Sequence, residues 1–169
     1  MPVLPILTYP DSRLRSASAP VAEITPEVRR LVDDLAETMY FANAAGLSAP
    51  QVGVGLRVVT IDLAENRAPA ELHVLINPRI LSRAGAVSIH EGCMSLPGVH
   101  ERVERAAEVT VHALGLDGKT FVLDAKGLMA VAVQHELDHL DGVLVVDHLS
   151  HFAKRRVDRA LVKRSRQRA

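Results

Sequence analysis

The chain has 169 residues, a length typical of one compact domain with a sizeable core, and 48% of them are hydrophobic. This composition, with a formal net charge of zero, excludes global disorder, and a single cysteine excludes an intrachain disulfide framework. No apolar run approaches the ~20 residues of a membrane helix, and the N terminus lacks the basic stretch of a signal peptide. We therefore expect one cytoplasmic domain over residues 1–169.

The basic residues are concentrated at the C terminus. Residues 152–169 hold eight of the 20 basic side chains and one acidic one, so the rest of the chain is acidic. A basic tail on an acidic body is typical of an anionic partner, but a solvated helix end explains the pattern equally well. Aromatic residues make up only 3% of the chain, which argues against a protein that stacks single-stranded nucleic acid.

The first half of the chain predicts one helix and two strands. Residues 26–42 predict a helix, since Pro26 suits a first turn and apolar residues recur at helical spacing. A loop of small residues follows at 43–51. Apolar, β-branched runs predict strands at 56–63 and at 72–76, the second ending at Asn77-Pro78.

The second half predicts further strands and two more helices. Residues 87–93 read as extended, 103–114 as a strand, and 120–123 as its partner across an Asp117-Gly118 turn. Residues 128–140 predict a helix ended by Gly142. The tail from residue 150 predicts a helix whose apolar face holds Phe152, Val157, Ala160 and Leu161. Because strands and helices are segregated, an α+β fold is favoured over a doubly wound sheet.

The strongest chemical signal is a histidine pair on the predicted helix 128–140. Residues 135–139 read His-Glu-Leu-Asp-His, and side chains at i and i+4 of a helix share one face. His135 and His139 can therefore bind one metal ion, and Glu136 can handle protons for a bound water. The alternative is a surface helix with incidental histidines.

Two histidines leave a catalytic metal site one ligand short. Cys93 is one candidate, because a thiolate binds divalent transition metals well, although a lone cysteine is more often a small buried hydrophobe. A distant glutamate is another. In the loop of small residues, the Gln51 amide could donate to a developing oxyanion, although a loop glutamine is usually just solvated.

Three segments in this order resemble the peptide deformylase family. Residues 44–51 match its G-x-G-L-A-A-x-Q segment, residues 91–95 its E-G-C-L-S segment, and residues 134–139 its Q-H-E-x-D-H segment. The likeness extends over about residues 3–155. Three motifs in register are far more specific than any one of them.

The resemblance implies hydrolytic removal of the formyl group from the N-terminal formyl-methionine of new polypeptides, with release of formate, by a metal-bound water. Residues 1–169 would be one catalytic domain, in which antiparallel or mixed sheets surround a central helix carrying the H-E-x-x-H motif. A basic C-terminal helix would span residues 150–169. The metal would be Fe(II), with Zn(II), Ni(II) or Co(II) able to substitute.

The resemblance also implies the roles of individual residues. The metal ligands would be Cys93, His135 and His139. Glu136 would be the general acid and base, while Gln51 and the backbone N–H of Met94 would hold the oxyanion. Substrate would be contacted by eight further residues: Ala45, Gly46, Ile89, Glu91, Gly92, Leu128, Val131 and Ala132. Arg105 is expected to pair with Glu91 and anchor the cysteine loop.

The resemblance implies the partners as well: formyl-methionyl nascent peptides, and ribosomal RNA near the exit tunnel, reached by the basic tail of a monomer. Departures from the family pattern include Ala44 at the first loop glycine, Ala45 for isoleucine and Ser48 for alanine. If that glycine needed positive φ, Ala44 would strain the loop.

Two alternatives remain open at this point. A zinc metallopeptidase would use the same helix but would need a third histidine or glutamate ligand and would leave Cys93 inert. A relative that only binds formylated peptides or ribosomes would have lost a ligand or Glu136, and the sequence retains all four residues.

Overall fold

The computed structural model describes residues 3–64 and 71–168. Its α-helices are α1 (Pro26–Phe41), α2 (Gly127–Leu140) and α3 (His151–Arg168). Its strands are β1 (Gly46–Ser48), β2 (Val58–Ile61), β3 (His73–Ala84), β4 (Val87–Cys93), β5 (Leu96–Arg105), β6 (Glu108–Leu114) and β7 (Thr120–Lys126). No helix within these two ranges is long and apolar enough to cross a membrane.

The strands form two antiparallel sheets, which confirms the α+β expectation. Five strands form one sheet in the order β1-β2-β3-β6-β7, and β4 pairs with β5 as a separate hairpin. Helix α2 packs its apolar side chains on the larger sheet. This core contains Val59, Ile61, Leu75, Val109, Val111, Ala113, Ala125, Ala130, Val133, Leu137 and Leu140. The sheet therefore supports the helix that carries the two histidines of the motif.

Helix α1 begins with the features that its sequence predicts and ends at a left-handed asparagine. Pro26 occupies the first turn, and the Thr25 hydroxyl accepts a hydrogen bond from the Val28 N–H. At the other end Asn43 takes a left-handed conformation with φ of 60°, while the Ala44 N–H bonds back to the Met39 carbonyl. This termination turns the chain directly into β1.

Helix α3 packs on the β4–β5 hairpin side of the molecule. Val157 and Leu161 are buried in a separate hydrophobic core with Leu14, Leu96 and Val103. The prediction for the rest of its apolar face was wrong, because Ala160 is exposed and Phe152 is 79% exposed. Of the predicted apolar face, only Val157 and Leu161 are buried.

Three other predictions about local structure were wrong. The small-residue loop contains β1 and a 3₁₀ helix, Ala49–Val52, because residues 46–48 pair with β2. The segment 103–114 is divided between β5 and β6 rather than forming one strand. Strand β3 continues through Asn77-Pro78 with an irregular register, and the Asn77 backbone N–H donates to the Arg57 carbonyl at 2.9 Å. The Asn77 side chain in addition bonds both backbone groups of Val21 at 2.8 Å.

Candidate metal centre

Helix α2 and the end of β4 bring three metal-ligating side chains together. His135 and His139 lie one turn apart with ring centroids separated by 5.0 Å. Cys93 Sγ lies 3.2 Å from His139 Nε2. One ligand atom from each of the three residues lies within 4.8 Å of the others, so a single ion can be reached by all three.

The surroundings of Cys93 favour its thiolate. Burial raises the pKa of this thiol, but the neighbouring His139 and His135 side chains outweigh burial, and the pKa falls to about 5. The thiolate is the form that binds a metal. Cys93 is therefore prepared to act as a ligand, which argues against the inert cysteine of a zinc metallopeptidase.

Glu136 is a buried carboxyl group with an unused oxygen. Its side chain lines the cavity beside the cluster, and in the described part of the chain its Oε2 atom has no hydrogen-bond partner. Burial raises its pKa, and this outweighs the opposing effect of His135 and His139. A carboxyl group whose pKa is raised in this way holds a proton more readily than an exposed glutamate, which suits a group that takes up and returns a proton.

The Gln51 amide is held in one orientation. Its Oε1 atom accepts hydrogen bonds from the backbone N–H and the hydroxyl of Ser48, each at 2.9 Å. Its Nε2 donates to Ser95 Oγ at 3.2 Å and faces Cys93 Sγ at 3.7 Å. The donor end of the amide therefore faces the metal ligands, as the oxyanion role requires.

Behind His135 lies a buried chain of charged groups. His135 Nδ1 is 2.9 Å from Glu91 Oε2. Arg105 donates to both oxygens of Glu91, at 2.8 and 2.9 Å, so the pairing expected from the sequence is present. Burial raises the pKa of Glu91, but Arg105 and His135 lower it to about 2. Glu91 is thus a carboxylate that orients the ring of His135.

A second α2 side chain fixes the corner that follows Arg105. The Gln134 amide accepts from the Ala106 N–H at 3.1 Å and donates to the Ala106 carbonyl at 2.9 Å. Gln134 therefore occupies both backbone groups at the point where β5 ends. The helix that supplies two ligands also holds the strand that supplies the guanidinium.

A cavity of about 550 Å³ opens beside the cluster. Every residue that the sequence analysis assigned to the site lines it, with the exceptions of His139 and Arg105. Val131 is buried in its wall, whereas Leu128 is 66% exposed at its rim. The lining is mostly apolar away from the ligands, which suits an unbranched apolar side chain.

Ala44 does not strain the loop in the way that its sequence position suggested. Among the described non-glycine residues, positive φ occurs only at Asn43 and Asn77. Ala44 instead lies in a core with Leu35, Met39 and Leu47. The left-handed turn is one residue earlier than expected, at a residue type that tolerates it.

Sequence reasoning missed a role for Ser48. Its hydroxyl donates to Gln51 Oε1 at 2.9 Å, and the same side chain lowers the pKa of Glu136 against the larger rise caused by burial. The only signal for it was the departure from the alanine of the family pattern. Ser48 therefore lies beside both Gln51 and Glu136, the two side chains assigned to catalysis.

The donor set fits a resident transition-metal ion. One thiolate and two imidazoles suit Fe(II), Co(II), Ni(II) or Zn(II). Three protein ligands with an open cavity beside them are typical of a catalytic rather than a structural site. The outer hydrogen bond that His135 Nδ1 donates to Glu91 completes the pattern of a metal-binding histidine.

Known proteins with the same architecture belong to one family. The family model described as polypeptide deformylase matches residues 3–155. A peptide deformylase of Alkalilimnicola ehrlichii is 54% identical over 167 residues, which are 99% of this chain and 93% of that protein.

Solved structures agree. A crystal structure of a peptide deformylase from Legionella pneumophila has a TM-score of 0.92 and 41% identity, covering 99% of this chain and 98% of that one. A Met-Ala-Ser-bound structure of a peptide deformylase from Acinetobacter baumannii has a TM-score of 0.82 and 32% identity, covering 88% and 99%.

Proposed function

The chain belongs to the polypeptide deformylase family, and we propose that Cys93, His135, His139 and Glu136 carry out its reaction. As a peptide deformylase it is a metal-dependent hydrolase that removes the formyl group from the N terminus of newly made polypeptides. The observation that supports this assignment is the three-ligand cluster with the buried carboxyl of Glu136 at the same cavity.

We assign Cys93, His135 and His139 to hold the metal, with Fe(II) as the family ion. A divalent metal there supplies Lewis-acid activation of water and of a carbonyl oxygen. This chain presents the donors in the required state: the low pKa of Cys93 favours its thiolate, and Glu91 holds the Nδ1 side of His135 so that Nε2 faces the cluster.

Glu136 moves the protons. Its Oε2 atom takes a proton from the attacking water and then delivers it to the amine nitrogen as the formyl C–N bond breaks, giving formate and a free N terminus. The raised pKa of Glu136 suits both steps, because burial makes this carboxylate a better proton acceptor than an exposed glutamate. The Nε2 of Gln51 and the backbone N–H of Met94 donate to the oxygen that gains charge.

The cavity accounts for the methionine of the substrate. Ile89, Leu128, Val131 and Ala132 present apolar surface beside the ligands, with Ala45 at the same cavity. The related Acinetobacter enzyme was solved with Met-Ala-Ser, a peptide that begins with methionine. Because Ala45 is smaller than the usual isoleucine, we infer a wider entrance for the substrate.

Formate release from a formyl-Met tripeptide tests this assignment, with the acetyl-Met tripeptide as control. Wild type purified without oxygen and loaded with Fe(II) or Ni(II) should release formate only from the formyl peptide. Glu136→Gln should bind metal normally but lose about a thousandfold in kcat/KM. Cys93→Ala should lose the metal. Activity in either variant close to wild type would refute the assignment.

We further propose that α3 docks on ribosomal RNA. Arg155, Arg159 and Lys163 are exposed at i, i+4 and i+8, so they form one basic stripe along the helix. Lys154 and Arg156 instead pair with Asp147 and Glu101 at 2.7 Å, which fixes the helix on the body. The nascent substrate is made in the cytoplasm, where we place this protein as a monomer.

Ribosome binding at several salt concentrations tests the docking proposal. Changing Arg155, Arg159 and Lys163 to glutamine, or truncating the chain after His151, should weaken binding and flatten its salt dependence. The triple variant should keep its activity on a free tripeptide. The matched control changes the exposed Arg29, Arg30 and Arg83 to glutamine. Equal loss in the control, or none in the stripe variant, would contradict docking through α3.

A further inference from the structure

The buried chain of charged groups behind His135 continues to His148, the last residue of the 3₁₀ helix Val145–His148. Arg105 bonds Glu91 through Nε and Nη2, and its remaining nitrogen, Nη1, donates to Asp138 Oδ2 at 2.5 Å. The same oxygen of Asp138 lies 2.6 Å from His148 Nε2. His135, Glu91, Arg105, Asp138 and His148 therefore form one continuous series of hydrogen bonds.

The two ends of this series differ in exposure. The side chains of Glu91 and Arg105 are each only 4% exposed, whereas those of Asp138 and His148 are 25% and 30% exposed. Asp138 and His148 line a second cavity, of about 630 Å³, on another face of α2. The Asp138–His148 end of the series is therefore the part whose hydrogen bonds solvent can reach and weaken.

We propose that His148 is a positioning residue for the metal centre, acting through Asp138, Arg105 and Glu91 on the ring of His135. His148 holds Asp138 Oδ2 against the guanidinium, and that contact leaves the other two nitrogens of Arg105 aligned with Glu91. Glu91 then keeps His135 Nδ1 hydrogen-bonded. The proposal rests on the assignment of His135 as a metal ligand.

The 3₁₀ helix is itself held firmly, so His148 is a fixed support. Asp147, next to His148, accepts from the Leu144 N–H at 2.9 Å and pairs with Arg15 and with Lys154. Removing only the imidazole therefore leaves the surrounding backbone in place. In its absence Asp138 can turn towards the water of the second cavity.

Two measurements on the full chain test the proposal. The first is the rate at which Ni(II) passes from the loaded protein to EDTA, and the second is the solvent-exchange rate of the His135 Nδ1 proton in the metal-free protein, followed by NMR. His148→Ala should raise the Ni(II) release rate roughly threefold to tenfold, below the effect of losing a direct partner of a ligand. The Nδ1 proton should exchange faster in the same variant.

Rescue and control variants separate positioning from a packing role. His148→Gln can still donate to Asp138 and should restore both rates to within about twofold of wild type. His151→Ala, at a nearby exposed histidine, should change neither rate. Unchanged rates in His148→Ala, or failure of glutamine to rescue a folded protein, would overturn the proposal.

The outcome is distinguishable from a failure of the proposed function. If wild type bound no Ni(II), the ligand assignment would fail and this inference with it. If wild type bound Ni(II) but His148→Ala released it at the wild-type rate with an unchanged Nδ1 exchange rate, only the positioning role would be lost.

Discussion

Gly46 lies directly against Glu136: a β-carbon built on Gly46 would come within 2.6 Å of Glu136 Oε1 and 3.0 Å of its Cγ. The glycine of the small-residue segment is therefore needed for space rather than for an unusual φ. Strand β1 can pass this close to α2 only because the residue at this position has no side chain. The contact places the carboxyl group that we assign to proton transfer against a strand of the main sheet.

Gly46→Ala should reduce kcat/KM about a hundredfold, because the new methyl group displaces the Glu136 carboxylate by a fraction of an ångström or more. Metal content should stay normal, since the change does not touch a ligand. The measurement is formate release with metal analysis on the same samples. Gly55→Ala is the matched control, since a β-carbon there meets nothing within 4 Å. Equal activity of the two variants would contradict the packing argument.

Ser48→Ala should lower kcat/KM about fivefold, which corresponds to the loss of one hydrogen bond of about 1 kcal/mol. The Gln51 amide keeps its bond from the Ser48 backbone N–H, so the loss should be partial. Because the serine hydroxyl lowers the pKa of Glu136, the acidic limb of the rate profile should move to higher pH. Ser82→Ala, at an exposed position of β3, should show neither change.

Ala44→Gly restores the glycine of the family pattern and should leave kcat/KM unchanged or raise it. Ala44 does not have positive φ, so glycine relieves no strain, and removing its buried methyl group should cost about 1 kcal/mol of stability. Urea unfolding and formate release on the same protein check both parts. A tenfold fall in kcat/KM would show that the loop depends on Ala44.

Arg105→Ala should weaken metal binding about tenfold or more and lower stability by about 3 kcal/mol or more. The guanidinium is buried between two carboxylates, and its removal leaves Glu91 and Asp138 without their shared cation. Competition with a chelator and urea unfolding are the measurements. Arg102→Ala, at an exposed position of the same strand, is the control. Metal affinity and stability equal to wild type would remove Arg105 from the support of the site.

Glu91 should make the metal-free protein sensitive to acid. Its pKa is about 2 in the folded protein and 4.5 when unperturbed, so its stabilising effect is complete above about pH 4.5 and is lost as the pH falls towards 2. Between about pH 6 and about pH 3 the free energy of unfolding should fall by roughly 2 kcal/mol from this group. Urea unfolding at both pH values should show a smaller fall in Glu91→Gln. Glu23→Gln, at an exposed residue, should behave as wild type.

The proposed metal ligands were predictable because short-range sequence patterns identify them. The i, i+4 spacing of His135 and His139 depends only on helical geometry, and α2 proved to be the predicted helix to within one residue. Cys93 was open between a ligand and a buried hydrophobe until the family resemblance was considered. No local sequence pattern indicates which distant segments of the chain will come into contact in the fold.

The elements that sequence predicted poorly depend on partners far along the chain. Residues 46–48 form a strand because β2 is beside them, and β3 continues past Ile76 because the Asn77 backbone N–H bonds to the distant Arg57 carbonyl. Propensity scales cannot register such long-range pairing. The break between β5 and β6 likewise depends on Gln134 of α2, which occupies the backbone groups of Ala106.

The sequence by itself determined which groups we propose to react: two imidazoles at helical spacing, a glutamate between them and a cysteine in a segment that resembles the family motif. Only the tertiary structure decided how those groups are supported. The supporting contacts join residues that are 3 to 90 positions apart in the sequence. They are Gly46 beside Glu136, Ser48 beside Gln51, and His148 beside Asp138 at the far end of the charge series. Their energies arise from burial and from direct hydrogen bonds, which exist only after the chain has folded.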